Sequence, residues 1–336
     1  MAPLIHNDSL VTKVFGTNSK EDFDWLAMEI FRYQYEHNAV YQSYASAMGR
    51  TPAQVSRVGD IPFLPISFFK THKVVCGNQE ETDTVFTSST TTGGIPSMHI
   101  VKNISIYEQS FRSAFNLFYG DITKYCILAL LPSYLERSGS SLVYMAEDLV
   151  KQSGNPHSGF YLHNIAELVT KLSALEKAKQ KTLLIGVTYA LLNLAEKFSQ
   201  KLSHTTIMET GGMKGKREEL PREEVHQVLK QAFGIESVHS EYGMTELLSQ
   251  AYSKGKGIFN TPPWMQVLIR DVYDPLKTGL IETSGAINII DLGNVNSCSF
   301  IATDDAGIVH RDGSFAVSGR LDQSDIRGCN LMAGEI

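Results

Sequence analysis

The chain has 336 residues, of which 43% are hydrophobic and 20% are charged, and its formal net charge is −6. These values are typical of a globular protein that buries a core, and the acidic balance speaks against nucleic acid as a partner because phosphate binding needs a basic face. No run of 18 apolar residues occurs, so no transmembrane helix is expected. The N-terminus lacks the features of a signal peptide, so the cytoplasm is the expected location.

The first predicted elements are helical and then extended. Residues 19–48 are predicted to form one helix, because their apolar side chains keep helical spacing. Residues 61–70 hold two prolines too close together for a helix interior, so an extended apolar segment is expected there. Ser105 followed by Glu108 has the form of a capping box, which would open a helix whose buried face carries Phe111.

From residue 125 onward, buried-strand runs alternate with amphipathic helices. Strands separated by helices of this length imply a parallel sheet with right-handed crossovers, and therefore an α/β fold. The predicted strands are 125–131, 181–187, 205–209 and 237–240, and the predicted helices are 165–175, 191–202 and 225–233.

The loops after these strands define the candidate site. In open parallel sheets, ligands bind beyond the carboxyl ends of the strands. The loops expected at that edge are rich in Gly, Ser and Thr, and they comprise residues 132–141, 188–189, 210–212 and 241–246. From about residue 261 the pattern changes to short alternating runs at 266–270, 286–290 and 297–302, which predict an antiparallel or barrel-like part.

Three segments carry residues suited to nucleotide chemistry. The hydroxyl-rich loop 87–94 can wrap an anion, although it lacks the Gly-Lys-Ser/Thr of a P-loop and could be a polar loop. Segment 241–246 combines an aromatic ring, a glycine, a hydroxyl and a carboxylate, but it could also be a strand-end turn with a helix cap. Segment 303–322 offers carboxylates for ribose and an arginine for phosphate, or else two hairpin turns with surface charges.

None of the four cysteines pairs with another at metal-ligand spacing. Cys126 lies in an apolar run and is predicted to be a packed core thiol, and Cys298 is predicted to lie in a strand. Cys329 differs, because it follows Gly328 near the end of the chain. It could be core filler or a reactive thiol.

The motifs resemble those of a known superfamily. Tyr-Gly-Met-Thr-Glu at 242–246 matches the Tyr-Gly-x-Thr-Glu motif of the adenylate-forming enzymes, which include acyl-CoA synthetases and luciferases. Segment 303–322 is similar to their ribose-binding motif and hinge. Within that superfamily, segments 61–70 and 131–137 resemble the acyl-protein synthetases of bacterial fatty-acid reductase, the LuxE type. The resemblance covers the chain from about residue 55 to its end.

This resemblance implies a fold and a division of the chain. It implies the α/β N-terminal domain of adenylate-forming enzymes, with parallel sheets flanked by helices, a small β-barrel-like subdomain and no mobile C-terminal lid domain. Residues 1–260 would form the adenylation core with an N-terminal helical segment, 261–318 the β-rich subdomain, and 319–336 a hinge-like tail that carries Cys329.

The resemblance also implies roles for individual residues. The cofactors would be ATP and Mg²⁺, and Glu246 would be the metal ligand. Thr245 would contact the α-phosphate, and Cys329 would become acylated. The residues implied to bind the nucleotide are Ser88, Ser89, Thr90, Thr91, Thr92 and Gly93 around the phosphates, Thr210, Gly211 and Gly212 facing the adenine, Tyr242, Gly243 and Met244 beside the base and the acyl carbonyl, and Asp305 and Arg320 on the ribose.

The implied function is activation of a carboxylic acid, in this branch a fatty acid, to acyl-AMP, followed by transfer to Cys329. A reductase or thioesterase subunit would then take the acyl group, and a homo-oligomer is compatible with the sequence. Two alternatives stay open. One is a ligase for CoA or a carrier protein, and the other is a weakly catalytic subunit that docks onto an acyl reductase. The second arises because Thr90 stands where the family's phosphate loop has glycine, and because the lysine that follows that loop is missing.

Overall fold

The computed structural model describes residues 7–89, 94–132, 139–161, 164–211 and 220–321, with side chains from residue 9 onward. The chain opens with helices α1 (Asn7–Val14), α2 (Lys20–His37) and α3 (Ala39–Ala47). The prediction of one helix over 19–48 was wrong, because Asn38 is extended, with φ −107° and ψ 101°. Its side chain accepts from Tyr41 N at 3.0 Å and donates to Ser297 O at 2.9 Å, so a long-range contact breaks the helix.

The proline-rich segment 61–70 is extended in its first half. Strand β1 (Leu64–Pro65) pairs in parallel with strand β13 (Phe300–Val309), and the short helix α4 (Phe68–Thr71) follows it. The extended prediction is therefore confirmed up to residue 65, and it was wrong beyond it, because the chain turns at residues 66 and 67 with Ser67 already at φ −60° and ψ −22°. The pairing places this segment along the edge of β13, close to the residues that form the candidate site.

Helix α5 (Ile104–Tyr119) begins earlier than the capping-box prediction placed it. The capping residue is Asn103, whose Oδ1 accepts from Ser105 N at 3.0 Å, so the interpretation of Ser105 as the cap was wrong. Glu108 instead accepts a hydrogen bond from Tyr144 OH at 2.5 Å. Phe111 is fully buried, as the helical spacing predicted.

Four elements between residues 84 and 160 were not predicted. Strands β2 (Thr84–Thr87) and β3 (Met98–Val101) form an antiparallel hairpin, and the hydroxyl-rich loop connects them. Helix α6 (Ser141–Ser153) is capped by Ser140, and strand β5 (Gly159–Phe160) follows it. The hairpin therefore holds both ends of the hydroxyl-rich loop in one place.

The parallel part of the sheet confirms the predicted α/β fold. Its strands lie in the order β5-β4-β6-β7-β8. Helix α8 begins at Thr188, so the predicted loop 188–189 is in fact its buried first turn. The remaining elements are β4 (Cys126–Leu130), α7 (Ile165–Lys177), β6 (Thr182–Val187), α8 (Thr188–Lys197), β7 (Thr205–Thr210), α9 (Arg222–Phe233) and β8 (His239–Tyr242).

The antiparallel strands continue the same sheet. In the described ranges the sheet has 12 strands, and its order β11-β12-β13-β14-β10-β9-β8 is open, so the barrel-like prediction was wrong while the antiparallel one is confirmed. Strand β10, which ends before residue 261, pairs with β14, which follows it, so the sheet continues across the predicted boundary at 260/261. The division of the chain into residues 1–260, 261–318 and 319–336 stays a prediction. These strands are β9 (Ala251–Ser253), β10 (Ile258–Asn260), β11 (Met265–Arg270), β12 (Gly285–Asp291), β13 and β14 (Phe315–Arg320).

Two other sequence predictions concern burial. Cys126 is fully buried in β4, as predicted, whereas Cys298 is buried but precedes β13 instead of lying in a strand. In the part of the chain that is described, no helix has both the length and the hydropathy that crossing a bilayer would require.

Candidate active site

The loops after β7 and β8 lie side by side, as the sheet topology predicted. The two strands pair in parallel, so their carboxyl ends meet at one edge. Thr210 is buried and its hydroxyl donates to the carboxyl group of Glu241, which places that side chain in the supporting structure. Gly211 follows with φ +69° and is exposed, so the backbone at this point is open to the candidate site at the sheet edge, called the crevice below.

Gly243 is needed because its surroundings leave no room for a side chain. A Cβ atom there would overlap the carboxyl group of Glu241 and would lie 3.3 Å from Gln250 Cγ. Met244 and Thr245 are half-buried, and Met244 packs against the core. The motif 242–246 is therefore held in a tight turn that exposes its backbone at Gly243.

The hydroxyl-rich loop is joined to this turn through the β2–β3 hairpin. Ser88 N donates to Ser97 O at 3.1 Å, and Ser97 N donates to Ser88 Oγ at 2.9 Å. The buried side chain of Ser97 hydrogen-bonds the carboxyl group of Glu246, and His99 Nδ1 lies 2.8 Å from Thr245 O. Two predicted segments, far apart in sequence, thus meet at Glu246.

Glu246 is the carboxylate best placed to hold a metal ion. It is 5% exposed, and burial raises its pKa, while the bond from Ser97 and the charges of Lys70 and Arg320 act in the opposite direction. Mg²⁺ is commonly held by one or two carboxylates together with substrate phosphates. Within the described ranges, no group of three His, Cys, Asp or Glu residues forms a protein-only metal site. A single buried carboxylate beside a hydroxyl-rich loop fits Mg²⁺ carried by a nucleotide.

Asp305 on β13 completes the crevice through Tyr242. Tyr242 OH donates to Asp305 Oδ2 at 2.7 Å, and Arg320 Nε lies 3.9 Å from Asp305 Oδ1. Burial raises the pKa of Asp305, and its contacts with Tyr242 and Arg320 counteract that rise. The Arg320 side chain is 87% exposed, so it can turn toward a bound anion. The Tyr242 ring is fixed by edge-on contacts with Phe259 and Phe315.

A buried polar cluster supports the loop after β7. Glu209 accepts from Arg222 Nε at 3.1 Å, from Ser240 Oγ at 3.0 Å and from Thr188 Oγ1 at 3.0 Å, and its Oε1 lies 3.2 Å from His226 Nε2. Burial opposes ionisation of Glu209, but these contacts outweigh it, so its pKa is lowered. The cluster fixes the strand ends that carry Thr210 and Tyr242.

Several residues at the site were missed by sequence reasoning. Ser97 and Lys70 act on Glu246, and Asn294 Nδ2 donates to Glu246 O at 2.8 Å. Asp291 accepts from Leu248 N at 2.8 Å and from the backbone and side chain of Ser249, which holds the segment after the motif. Only Lys70 had a sequence signal, since it ends the segment that resembles the acyl-protein synthetases.

Six of the predicted site residues cannot be placed. Thr90, Thr91, Thr92, Gly93, Gly212 and Cys329 lie outside the described residues, and so do residues 133–138 of the predicted loop 132–141. Ser89 is described and exposed beside Ser88. Among the described members, Ser88 is linked through Ser97 to Glu246, Tyr242 is linked to Asp305 and Arg320, and the charge of Arg320 acts on Glu246.

The buried carboxyl group of Glu241 makes the stability of the fold depend on pH. Burial raises its pKa from 4.5 to about 7; the bond from Thr210 opposes the rise and the charge of Glu209 adds to it. Because the folded-state pKa is raised, the stability that this proton contributes is complete below pH 4.5 and is lost as the pH rises through 7. The slope for one proton is at most about 1.4 kcal/mol per pH unit.

We therefore expect Glu241→Gln to flatten the fall in stability between pH 5 and pH 8. The measurement is the free energy of unfolding in urea at several pH values, for the wild type and the variant. The matched control is Glu236→Gln at an exposed position, which should keep the wild-type slope. Equal slopes for wild type and Glu241→Gln would contradict the burial argument.

An open mixed sheet with a Tyr-Gly-x-Thr-Glu turn beside a hydroxyl-rich hairpin defines the class of adenylate-forming ligases. The family follows from a direct match. Residues 17–335 match the sequence model of the family described as "Acyl-protein synthetase, LuxE". The chain belongs to this family, and the predicted enzyme class, an acyl-protein synthetase, is confirmed.

Two curated relatives carry the same name, long-chain-fatty-acid–luciferin-component ligase. The protein of Vibrio harveyi is 25% identical over 300 residues, which cover 84% of this chain and 78% of the relative. The protein of Photorhabdus luminescens is 34% identical over 68 residues, which cover 20% of this chain and 58% of the relative. The similarity to the first extends over most of both chains.

Two solved structures show how far the similarity of fold extends. A 2-hydroxyisobutyryl-CoA ligase in the postadenylation state matches with a TM-score of 0.66 and 13% identity, over 91% of this chain and 69% of that one. ATP-bound MatB from Rhodopseudomonas palustris matches with a TM-score of 0.52 and 14% identity, over 70% of this chain and 47% of that one. The chain thus spans about half the length of MatB. At these identities the likeness establishes the fold.

Proposed function

We propose that the protein uses ATP to convert a fatty acid to an acyl adenylate and then carries the acyl group as a thioester on Cys329. The observation that carries the proposal is the meeting of Ser97 with Glu246 and of Asp305 with Tyr242 in one crevice. The names of the two curated relatives support a long-chain fatty acid as the substrate, and the ATP-bound structure of similar fold supports ATP.

The crevice offers a partner for each part of the nucleotide. The Asp305 carboxylate can accept from two ribose hydroxyls, and the exposed Arg320 can neutralise a phosphate. The backbone at Gly211 and the Tyr242 ring flank the place for the base. Ser88 and Ser89 stand at the start of the loop that would surround the outer phosphates.

The first chemical step joins the acid to the α-phosphorus. A carboxylate oxygen attacks that phosphorus, the new O–P bond forms, and the bond to the bridging oxygen of the β-phosphate breaks, so that pyrophosphate leaves with the electron pair. Bound Mg²⁺ would supply positive charge as negative charge builds on the phosphates, and Glu246 would hold it. Thr245 can donate a hydrogen bond to an α-phosphate oxygen.

In the second step the sulfur of Cys329 attacks the acyl carbonyl, and AMP leaves. The thiol must lose its proton to solvent first, because the thiolate is the nucleophile, and the neighbouring Arg327 would increase the thiolate fraction. A glycine at position 328 would allow conformations that other residues disfavour, which would help bring the thiol to the acyl adenylate. The resulting thioester would then pass its acyl group to a reductase or thioesterase subunit.

An isotope experiment tests the first step. A fatty acid labelled with ¹⁸O in its carboxyl group is incubated with the protein, ATP and Mg²⁺, and the nucleotide and phosphate products are analysed by mass spectrometry. Attack on the α-phosphorus predicts one ¹⁸O atom in AMP and none in pyrophosphate. Label in inorganic phosphate would show attack on the γ-phosphorus, and absence of label from every product would exclude activation of the acid.

A further inference from the structure

The chain at the start of β3 holds the Tyr-Gly-Met-Thr-Glu motif at two places. Ser97 and His99 are buried, whereas Met98 between them is 38% exposed, so the first two share one face of the extended chain. The Ser97 side chain hydrogen-bonds the carboxyl group of Glu246, and His99 Nδ1 lies 2.8 Å from Thr245 O. The same face therefore contacts the side chain of Glu246 and the backbone that precedes it.

The contact with Thr245 fixes which ring nitrogen of His99 carries a proton. Thr245 O can only accept a hydrogen bond, so the proton must be on Nδ1. Burial lowers the pKa of His99 to about 4, although the bond to Thr245 opposes this change, so the ring is neutral near pH 7 and Nε2 is an acceptor. Nε2 is buried and has no hydrogen-bond partner among the described residues. Within those residues, the only hydrogen bond of the ring is thus the one to the motif.

Packing alone does not account for a histidine at this position. His99 is fully enclosed, and its ring lies edge-on to that of Phe69, with centroids 5.6 Å apart and planes at 88°. A buried nitrogen without a partner destabilises the fold, and phenylalanine would fill a similar space without that cost. The bond to Thr245 O is the feature that phenylalanine could not supply.

Two successive carbonyl groups of the motif are held by side chains from outside it. Thr245 O accepts from His99 Nδ1, and Glu246 O accepts from Asn294 Nδ2 at 2.8 Å. Both donor residues are fully buried, so solvent water does not replace either bond. Because a peptide group is planar, holding Thr245 O fixes the plane that joins Thr245 to Glu246. The directions in which both side chains leave the backbone depend on that plane.

We propose that His99 is a positioning residue for the first chemical step. Its Nδ1–H group holds the peptide between Thr245 and Glu246, so that the Thr245 hydroxyl meets the α-phosphate while the Glu246 carboxylate holds Mg²⁺. His99 is fully enclosed, so it acts through the motif and not by touching the substrate. The roles of Thr245 and Glu246 in this step are those of the proposed function, on which the assignment of His99 rests.

Two substitutions separate the hydrogen bond from the volume of the ring. His99→Phe keeps a ring without the donor, whereas His99→Asn keeps an N–H donor close to the position of Nδ1. We expect His99→Phe to lower kcat of acid-dependent ATP–pyrophosphate exchange about 10- to 100-fold, with KM for the fatty acid changed less than about threefold, because misplaced groups slow the chemistry. His99→Asn should retain about a third or more of the wild-type kcat.

Three results would overturn the proposal. They are a folded His99→Phe with the wild-type kcat, equal losses of kcat in His99→Phe and His99→Asn, and a change in KM with kcat unaltered. The second result would assign the effect to the volume of the ring, and the third would assign it to binding of the acid.

Tyr41→Phe is the matched control for the loss of a buried hydrogen bond. It removes the bond from Tyr41 OH to Pro62 O at 2.7 Å, which also joins a fully buried ring to a carbonyl group but lies outside the crevice. This variant should lower the free energy of unfolding in urea and keep the wild-type kcat. A loss of kcat as large as that of His99→Phe would show that reduced stability alone slows the reaction, and it would overturn the specific role of His99.

A spectroscopic measurement on the wild type needs no reaction. In the ¹⁵N-labelled full chain, long-range nitrogen–proton spectra report which ring nitrogen of each histidine is protonated, and the His99 signals are those lost in His99→Asn. We expect the proton on Nδ1 at about pH 7.5. A proton on Nε2 would overturn the proposal, and this result decides if His99→Phe does not fold. Absence of exchange in the wild type would contradict the proposed function, and the position of the proton would still decide whether His99 holds Thr245.

Discussion

Replacing Glu246 with glutamine is expected to lower acid-dependent ATP–pyrophosphate exchange about 100- to 1,000-fold, the range seen when a charge-stabilising group is removed from an active site. Glutamine keeps the shape of the side chain and can still accept from Ser97. It loses the negative charge that would hold Mg²⁺ beside the phosphates, so stabilisation of charge on the α-phosphate is lost. The fold should persist, because burial already disfavours the ionised form of Glu246.

The exchange rate should be measured with the folded variant at saturating Mg²⁺ and ATP, and unfolding curves should confirm its stability. Glu80→Gln is the control, because Glu80 is an exposed carboxylate that lies before β2 and pairs with Lys102 at 3.3 Å. The control should keep the wild-type rate. A Glu246→Gln rate within threefold of the wild type would remove Glu246 from the catalytic machinery.

Replacing Cys329 with serine is expected to abolish the acyl label on the protein almost completely. The label is introduced with a radioactive fatty acid, ATP and Mg²⁺, and a thioester is recognised by its release with neutral hydroxylamine. Pyrophosphate release in the first turnover should persist, because the carboxylate attack on ATP does not involve Cys329. The loss arises because a neutral hydroxyl is a far weaker nucleophile than a thiolate.

The other cysteines supply the control for this experiment. Cys76, Cys126 and Cys298 are buried, and burial raises the pKa of each thiol, so they should stay protonated and unlabelled. Cys76→Ala should therefore retain the full label. A label that survives Cys329→Ser would refute Cys329 as the acyl carrier. If the wild type formed labelled acyl-CoA when CoA was added, and never carried the label itself, the CoA-ligase alternative would be favoured.

The parts of the fold that could be predicted are those set by local patterns. The strands β4 and β6 are largely apolar runs, and their burial from both faces made them recognisable. The break at Asn38 could not be predicted, because a contact with Ser297, 259 residues away, stabilises it. The strands of the β2–β3 hairpin have four residues each, too short for a periodic signal.

In the candidate site, too, the residues in local motifs could be predicted, whereas those that act through long-range contacts could not. The 242–246 motif and Asp305 were recognisable because their residue types occur at a fixed spacing, and the structure joins them through Tyr242. Ser97 and Asp291 were missed, because each acts through a hydrogen bond to a residue distant in sequence. The roles assigned to Cys329 and to Thr90 stay predictions, since both lie outside the described residues.

Exchange of radioactive pyrophosphate into ATP by the wild-type chain tests the central claim most directly. The assay is run with Mg²⁺ and a panel of fatty and aromatic acids, and without any acid. Reversible formation of an acyl adenylate predicts exchange that requires an acid and that is fastest with a long-chain fatty acid. Absence of acid-dependent exchange across the panel, from a protein shown to be folded, would contradict acid activation and favour the docking-subunit alternative.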